Sequence, residues 1–154
     1  MNLSTHGSYR LSFENNILYV EAEGPFNAEI LQEYYRDMKK IVEENKSKRW
    51  AALVTYHGNG IFTPDAEYAL IEVTKYRAKN GMIANASVLK ESIHADLQQT
   101  QLARIYQTAK VRSHFFSDEH SAKNWLTKFL KENTPQANRR RGLQPRYTNQ
   151  EPRE

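Results

Sequence analysis

Five histidines, His6, His57, His94, His114 and His120, are the side chains best suited to proton transfer or metal ligation near neutral pH. Their spacing contains neither His-x-His nor His-Glu-x-x-His, so no local stretch brings two ligands onto one face, and a metal site would need distant segments. No metal and no cofactor is expected. His114 reads as a packed or surface imidazole in a strand, and His120 as a neutral surface residue in the first turn of a helix, where a cation would oppose the macrodipole. The absence of cysteine excludes disulfides, thiolate nucleophiles and Cys-ligated zinc or iron–sulfur sites. Asp65, Glu67 and Glu72 suggest an acid–base pair. Residues five apart, however, diverge by about 140° on a helix, and Asp65 is placed to favour a helix N-terminus, so a solvated face accounts for all three. No serine lies in a Gly-x-Ser-x-Gly elbow. No catalytic residue is therefore assigned, and the chain is expected not to be an enzyme.

Binding chemistry has better candidates. His57-Gly58-Asn59-Gly60 follows an apolar run, and its backbone N–H groups suit an anion, yet neither GxGxxG nor GxxxxGK[ST] is present and a turn alone explains the glycines. Nine tyrosines are present, and Tyr34, Tyr35, Tyr68 and Tyr76 flank helical apolar stripes. With an aromatic body and a hydroxyl, such side chains line apolar pockets or wet interfaces. Tyr34, Tyr56, Phe62 and Tyr76 are the candidate lining of a cavity. The formal charge of +4 is uneven along the chain, because residues 133–154 hold five of the arginines and two glutamates. Arg139, Arg140, Arg141 and Arg146 are the candidate contacts for nucleic acid or an acidic partner. No recognition helix or aromatic platform accompanies them, so nucleic acid is not the expected partner.

The elements that would position these residues follow from pattern. Tyr9–Phe13 and Ile17–Ala22, joined by Glu14-Asn15-Asn16, read as a β-hairpin. Asn27 caps a helix with Leu31, Tyr34, Tyr35, Met38, Ile41 and Val42 on one face, ending near Asn45. Trp50–Tyr56 is apolar without alternation, as in a strand covered on both faces. Thr63-Pro64-Asp65 reads as cap, first-turn proline and first-turn acid of a helix that buries Ala66, Ala69, Leu70, Val73 and Tyr76 and stops at Asn80-Gly81. Further along, a strand is expected at Ile83–Leu89 and a helix from Ser92 to Ala109, with Leu97, Leu102, Ile105, Tyr106 and Ala109 inward. A strand at Val111–Phe116 follows, then a helix capped by Ser117-Asp118-Glu119 that carries Ala122, Trp125, Leu126, Phe129 and Leu130. Strands separated by helices imply parallel, right-handed crossovers, hence an α/β class with a single mixed, largely parallel sheet, an N-terminal hairpin and four helices. Residues 1–132 form the expected domain, and 133–154, with three of the five prolines, a basic, flexible tail. No apolar run reaches the length of a membrane span, and Met1–His6 lacks signal-peptide character, so a cytoplasmic protein is expected.

Glu23-Gly24-Pro25-Phe26-Asn27 opening the first helix, Trp50-Ala51-Ala52-Leu53-Val54, Thr63-Pro64, and Phe115-Phe116-Ser117-Asp118-Glu119 before Trp125-Leu126 together resemble the SpoIIAA-like proteins, a bacterial family related to STAS domains, over about residues 8–131. The resemblance implies a mixed sheet under helices and a role in binding partner proteins. In STAS relatives that binding is sometimes switched by phosphorylation of a Ser or Thr at the start of the helix after the third strand. It also suggests lipid-carrier-like folds with an apolar pocket. Carried over by position, Thr63 is the candidate phosphosite. Phe62-Thr63-Pro64-Asp65 departs from the Asp-Ser-Ser-Gly of the antagonist switch, and Thr55 stands where many members have Asp. The expected function is a non-enzymatic interaction module that binds a protein partner, or a second copy as a homodimer, through the first two helices near Tyr56, His57, Asn59, Phe62 and Thr63. The alternative is a small carrier of a lipid or other apolar molecule held between helices and sheet.

Overall fold

A computed structural model describes residues 7–133. Strands β1 (Ser8–Glu14) and β2 (Ile17–Glu23) form the expected hairpin. Asn15 and Asn16 between them both take positive φ, 54° and 64°. That backbone twist joins antiparallel strands in two residues, and asparagine tolerates it better than most side chains. Helix α1 (Ala28–Asn45) starts where Asn27 accepts a hydrogen bond from the Ile30 N–H at 3.1 Å, and it buries Ile30, Leu31, Tyr34, Met38 and Val42.

Strand β3 (Trp50–His57) is buried in all but its last residue, as its unbroken apolar run requires. It lies parallel to β2 on one side and to β4 (Met82–Lys90) on the other, with α2 (Pro64–Lys79) between β3 and β4 in the chain. Helix α3 (Ala95–Ala109), strand β5 (Ser113–Phe116) and helix α4 (Glu119–Glu132) complete the order. The sheet runs β1-β2-β3-β4-β5, antiparallel only at the hairpin. Each crossover moves one strand over in the same direction, so crossovers of one hand put their helices on the same face. Accordingly α1, α2 and α3 share a core with Leu18, Val20, Ala52, Val54 and Tyr56. Helix α4 packs alone on the opposite face against Ala51, Leu53, Ala84, Ala86 and Val88. The result is an α/β fold with the expected sheet and four helices.

Two boundaries differ from expectation by more than one residue. Helix α3 begins at Ala95 rather than Ser92, because the Ser92 hydroxyl bonds the Gln98 side chain at 2.9 Å instead of entering the helix. Strand β5 begins at Ser113 rather than Val111. Lys110 ends α3 in the left-handed region at φ 62°, and the Val111 N–H is still committed to the Tyr106 carbonyl at 3.0 Å. The inward face of α3 also differs: Leu97 is 50% exposed, and the amides Gln98 and Gln101 take buried places beside Leu102, Ile105 and Tyr106. Arg139, Arg140, Arg141 and Arg146 lie outside the described residues.

Candidate functional site

Between α1, α2 and the upper half of the sheet lies a cavity of about 40 Å³. Its walls are apolar and aromatic: Val20, Ala22 and Val54 from the sheet, Phe26 just before α1, Ile30 and Leu31 from its first turn, and Leu70 from α2, with Tyr34, Tyr56 and Phe62 among them. Into this wall α2 places one charged group, Arg77, which is only 1% exposed. The helix puts it there by periodicity, since Ala66, Leu70, Val73 and Arg77 recur at the 4, 3, 4 spacing of a single face.

A buried guanidinium is costly unless its N–H groups are matched. The Arg77 Nη1 donates to the Tyr34 hydroxyl at 3.0 Å, and Nη2 donates to Thr74 Oγ1 at 3.2 Å and to the Tyr106 hydroxyl at 3.4 Å. Its Nε has no partner among the described residues. None of the ion pairs among those residues includes Arg77, so the partners found there are neutral oxygens and none of the described carboxylates balances its charge. Burial works against the charged form, but the phenol oxygens of Tyr34, Tyr106 and Tyr56 outweigh it and hold Arg77 protonated. Burial in turn pushes the Tyr34 and Tyr56 hydroxyls above their ordinary range, so both keep their protons.

The rim of the cavity is built from two loops held together by backbone contacts. Phe26 and Phe62 form a parallel β-bridge, their rings stack with centroids 4.9 Å apart, and the Thr63 N–H donates to the Phe26 carbonyl at 3.0 Å. From α3, the Gln101 amide clamps Phe62 on both sides: Oε1 accepts from the Phe62 N–H at 2.9 Å and Nε2 donates to its carbonyl at 3.0 Å. Asn59 Oδ1 accepts from the Ile61 N–H at 3.1 Å, closing the turn. A Cβ at Gly60 would fall 1.8 Å from Gln98 Nε2, so a larger residue there would oblige the Gln98 amide to move.

No family model matches the chain, and no curated protein matches it. Among solved structures it is similar to a protein of the DUF3478 family with a SpoIIAA-like fold from Shewanella loihica PV-4, itself described as uncharacterised. The two share 14% identity over 82% of this chain and 98% of the other, with a TM-score of 0.55. The fold is SpoIIAA-like. At that identity the likeness speaks for the fold alone.

Within the SpoIIAA-like frame, Tyr34, Tyr56 and Phe62 come together at the cavity, but Tyr76 does not. It lies half-buried on the outer flank of α2, edge-on to Tyr35 at 5.3 Å, and donates to Glu43 Oε2 at 2.8 Å. Burial and that bond push its pKa up to about 12. Thr63 is exposed and caps α2, accepting from the Ala66 N–H at 3.2 Å. His57 closes β3 rather than opening the loop, and alternation turns it to the α4 side, away from the cavity. There its Nε2 lies 3.1 Å from Glu21 Oε1. Burial works against the Glu21 charge, and hydrogen bonds with His57 and Arg10 outweigh it and hold that carboxyl below its ordinary range.

The remaining candidates are scattered. Glu67 is not simply solvated: it pairs through both carboxylate oxygens with Arg104 of α3. Thr55 is buried and donates to Glu119 Oε2 at 2.8 Å, joining β3 to the start of α4. His114 packs edge-on to Trp125 at 4.7 Å, and His120 is exposed beside Asn124. Among the described residues no group of three or more His, Asp or Glu is placed to hold a metal ion, and no helix is long and apolar enough to cross a membrane. Arg77 was missing from the sequence candidates, although its place on the 66, 70, 73, 77 stripe is a signal the sequence carries.

Proposed function

We propose that this chain is a non-enzymatic binding module that holds a small molecule in the cavity between α1, α2 and the sheet. The observation that carries this reading is the cavity itself: apolar and aromatic walls converge on one buried charged group and the tyrosine hydroxyls beside it, the usual build of a small-molecule site. Its size limits the occupant. About 40 Å³ admits roughly three water-sized groups, whereas drug-sized ligands need several hundred. A lipid would require α1 and α2 to part, so the carrier reading narrows to a small occupant in this conformation.

Methyl-resolved NMR with a panel of small neutral, cationic and anionic compounds tests it. Saturable shifts confined to Ile30, Leu31, Val54 and Leu70 are expected for at least one member. A panel in which no compound shifts those methyls would overturn the reading.

A second reading, a protein-interaction module that binds a partner or a second copy, is favoured by Tyr68, which is 68% exposed on α2 a few residues beyond Thr63. Large exposed aromatics are enriched at interfaces. Sedimentation of the chain against Tyr68→Ser tests self-association: a dimer that the substitution dissociates supports this reading, and a monomer in both removes the homodimer.

A further inference from the structure

Among the described residues, Arg77 is a buried cation without an anion. Its five N–H groups meet three neutral hydroxyl oxygens, which leaves the Nε hydrogen and one Nη1 hydrogen unused. The Tyr34 oxygen accepts from Arg77, so the hydroxyl hydrogen of Tyr34 remains to be donated elsewhere. Both residues line the cavity. The cavity is thus lined by a charge with no described counter-charge and by two side chains with spare donors, around an apolar space of about 40 Å³ that suits a small carboxylate.

On the reading that the cavity is a ligand site, we infer that its occupant is a carboxylic acid bound as the carboxylate, with the oxygens on Arg77 and the Tyr34 hydroxyl and the carbon chain among Phe26, Ile30, Leu31 and Leu70. A carboxylate supplies the counter-charge that the protein omits, and charge-assisted hydrogen bonds to a guanidinium are among the strongest available. A phosphate or sulfate, with two or more charges and a tetrahedral crown of acceptors, would find one cation and an apolar wall, so a planar monoanion is the better match. A neutral molecule would leave Arg77 as it stands.

The full chain is titrated with sodium propionate and, separately, with propionamide, an uncharged molecule of nearly the same shape, at constant ionic strength, while the Arg77 Nε–H and the Leu31 and Leu70 methyl resonances are followed. Propionate is expected to shift all of them saturably and to bind at least about tenfold more tightly than propionamide, a difference of about 1.4 kcal/mol. Its affinity should fall as the pH is lowered through about 5, where the acid takes up its proton. Equal binding of the two molecules overturns the carboxylate inference and leaves the binding module standing. Binding of neither, with no other compound of the panel bound, removes both. Arg77→Gln should abolish the preference for propionate. Should that variant fail to fold, the comparison on the unaltered chain still decides.

Chain length then separates two sources of the same head group. Tightest binding at acetate or propionate points to a free short-chain acid. Affinity that rises to octanoate, with shifts spreading along α1 and α2, points to the carboxyl end of a longer acyl chain between parted helices.

Discussion

The two faces of the sheet solve the same packing problem in opposite ways. On the α4 side, β3 and β4 present Ala51, Ala84 and Ala86, which let a single helix seat Ala122, Leu126 and Leu130 close against the strands. Two polar links reach α4 there, from the buried Thr55 and from Lys90 to Glu119. On the other side three helices cover the strands with larger residues, leave a cavity, and bury Arg77, Thr74, Gln98 and Gln101 among them. Apolar contacts and these two links hold α4 down. A buried cation, two buried amides and a void therefore mark a face whose sequence serves something besides packing.

The sharpest way to break this contrast is to damage the face that lacks a candidate site. Leu126 is fully buried under α4, and Leu126→Ala should cost about 2–5 kcal/mol in urea denaturation. Propionate binding at 25 °C should be unchanged in the fraction that remains folded. A loss of binding there would show that the two faces do not act separately. Next in size is Tyr34→Phe, which removes the acceptor of the Arg77 Nη1 donor and leaves part of a buried charge unmatched. Hydrogen bonds to charged groups contribute about 1.5–3 kcal/mol, so a loss in that range is expected. Unlike Leu126→Ala, this change should also weaken propionate binding, and an unaltered affinity would detach Tyr34 from the carboxylate site.

The same contrast decides what was legible in the sequence. The hairpin, the Asn27 and Thr63 caps, and the stripes of α1, α2 and α4 follow from residues within a few positions of one another, and the structure bears out these local signals. Gln101 was not legible as a clamp, because its partner Phe62 lies 39 residues away and only the packing of α3 against the loop brings them together. Its neighbour Leu97 fits an apolar stripe better than Gln98 does, yet Gln98 is inside, over Gly60 and within reach of Ser92. Tyr34 and Tyr76 stand alike at the margins of their stripes, and periodicity does not say which margin faces the cavity. Arg77 shares the spacing of the α2 stripe, whereas a charged residue on a helix ordinarily marks its solvated face.

Thr63→Ala sharpens the contrast at the cavity's rim. As a cap alone, Thr63 should contribute about 1 kcal/mol, seen as a lowered urea midpoint with ligand and partner binding intact. Loss of binding to a partner without that destabilisation would instead make Thr63 the switch that its position suggests.

The smallest expected effect concerns the Glu67–Arg104 pair, which ties α2 to α3 at the surface of the cavity face. The hydrogen bond from Arg104 holds the Glu67 carboxyl below its ordinary range, against a partial opposition from burial. A carboxyl whose folded pKa is depressed adds stability at pH values above its unfolded pKa of about 4.3, and that contribution is lost as the pH falls through the lower, folded value. Urea midpoints of the chain and of Glu67→Gln should therefore differ at pH 7 by less than the Thr63→Ala effect, and the gap should close as the pH falls below 4. A gap that does not narrow at all as the pH falls below 4 would mean that Glu67 acts through its shape or neutral hydrogen bonding. The link between α2 and α3 would then rest on packing, as most of the attachment of α4 does on the other face.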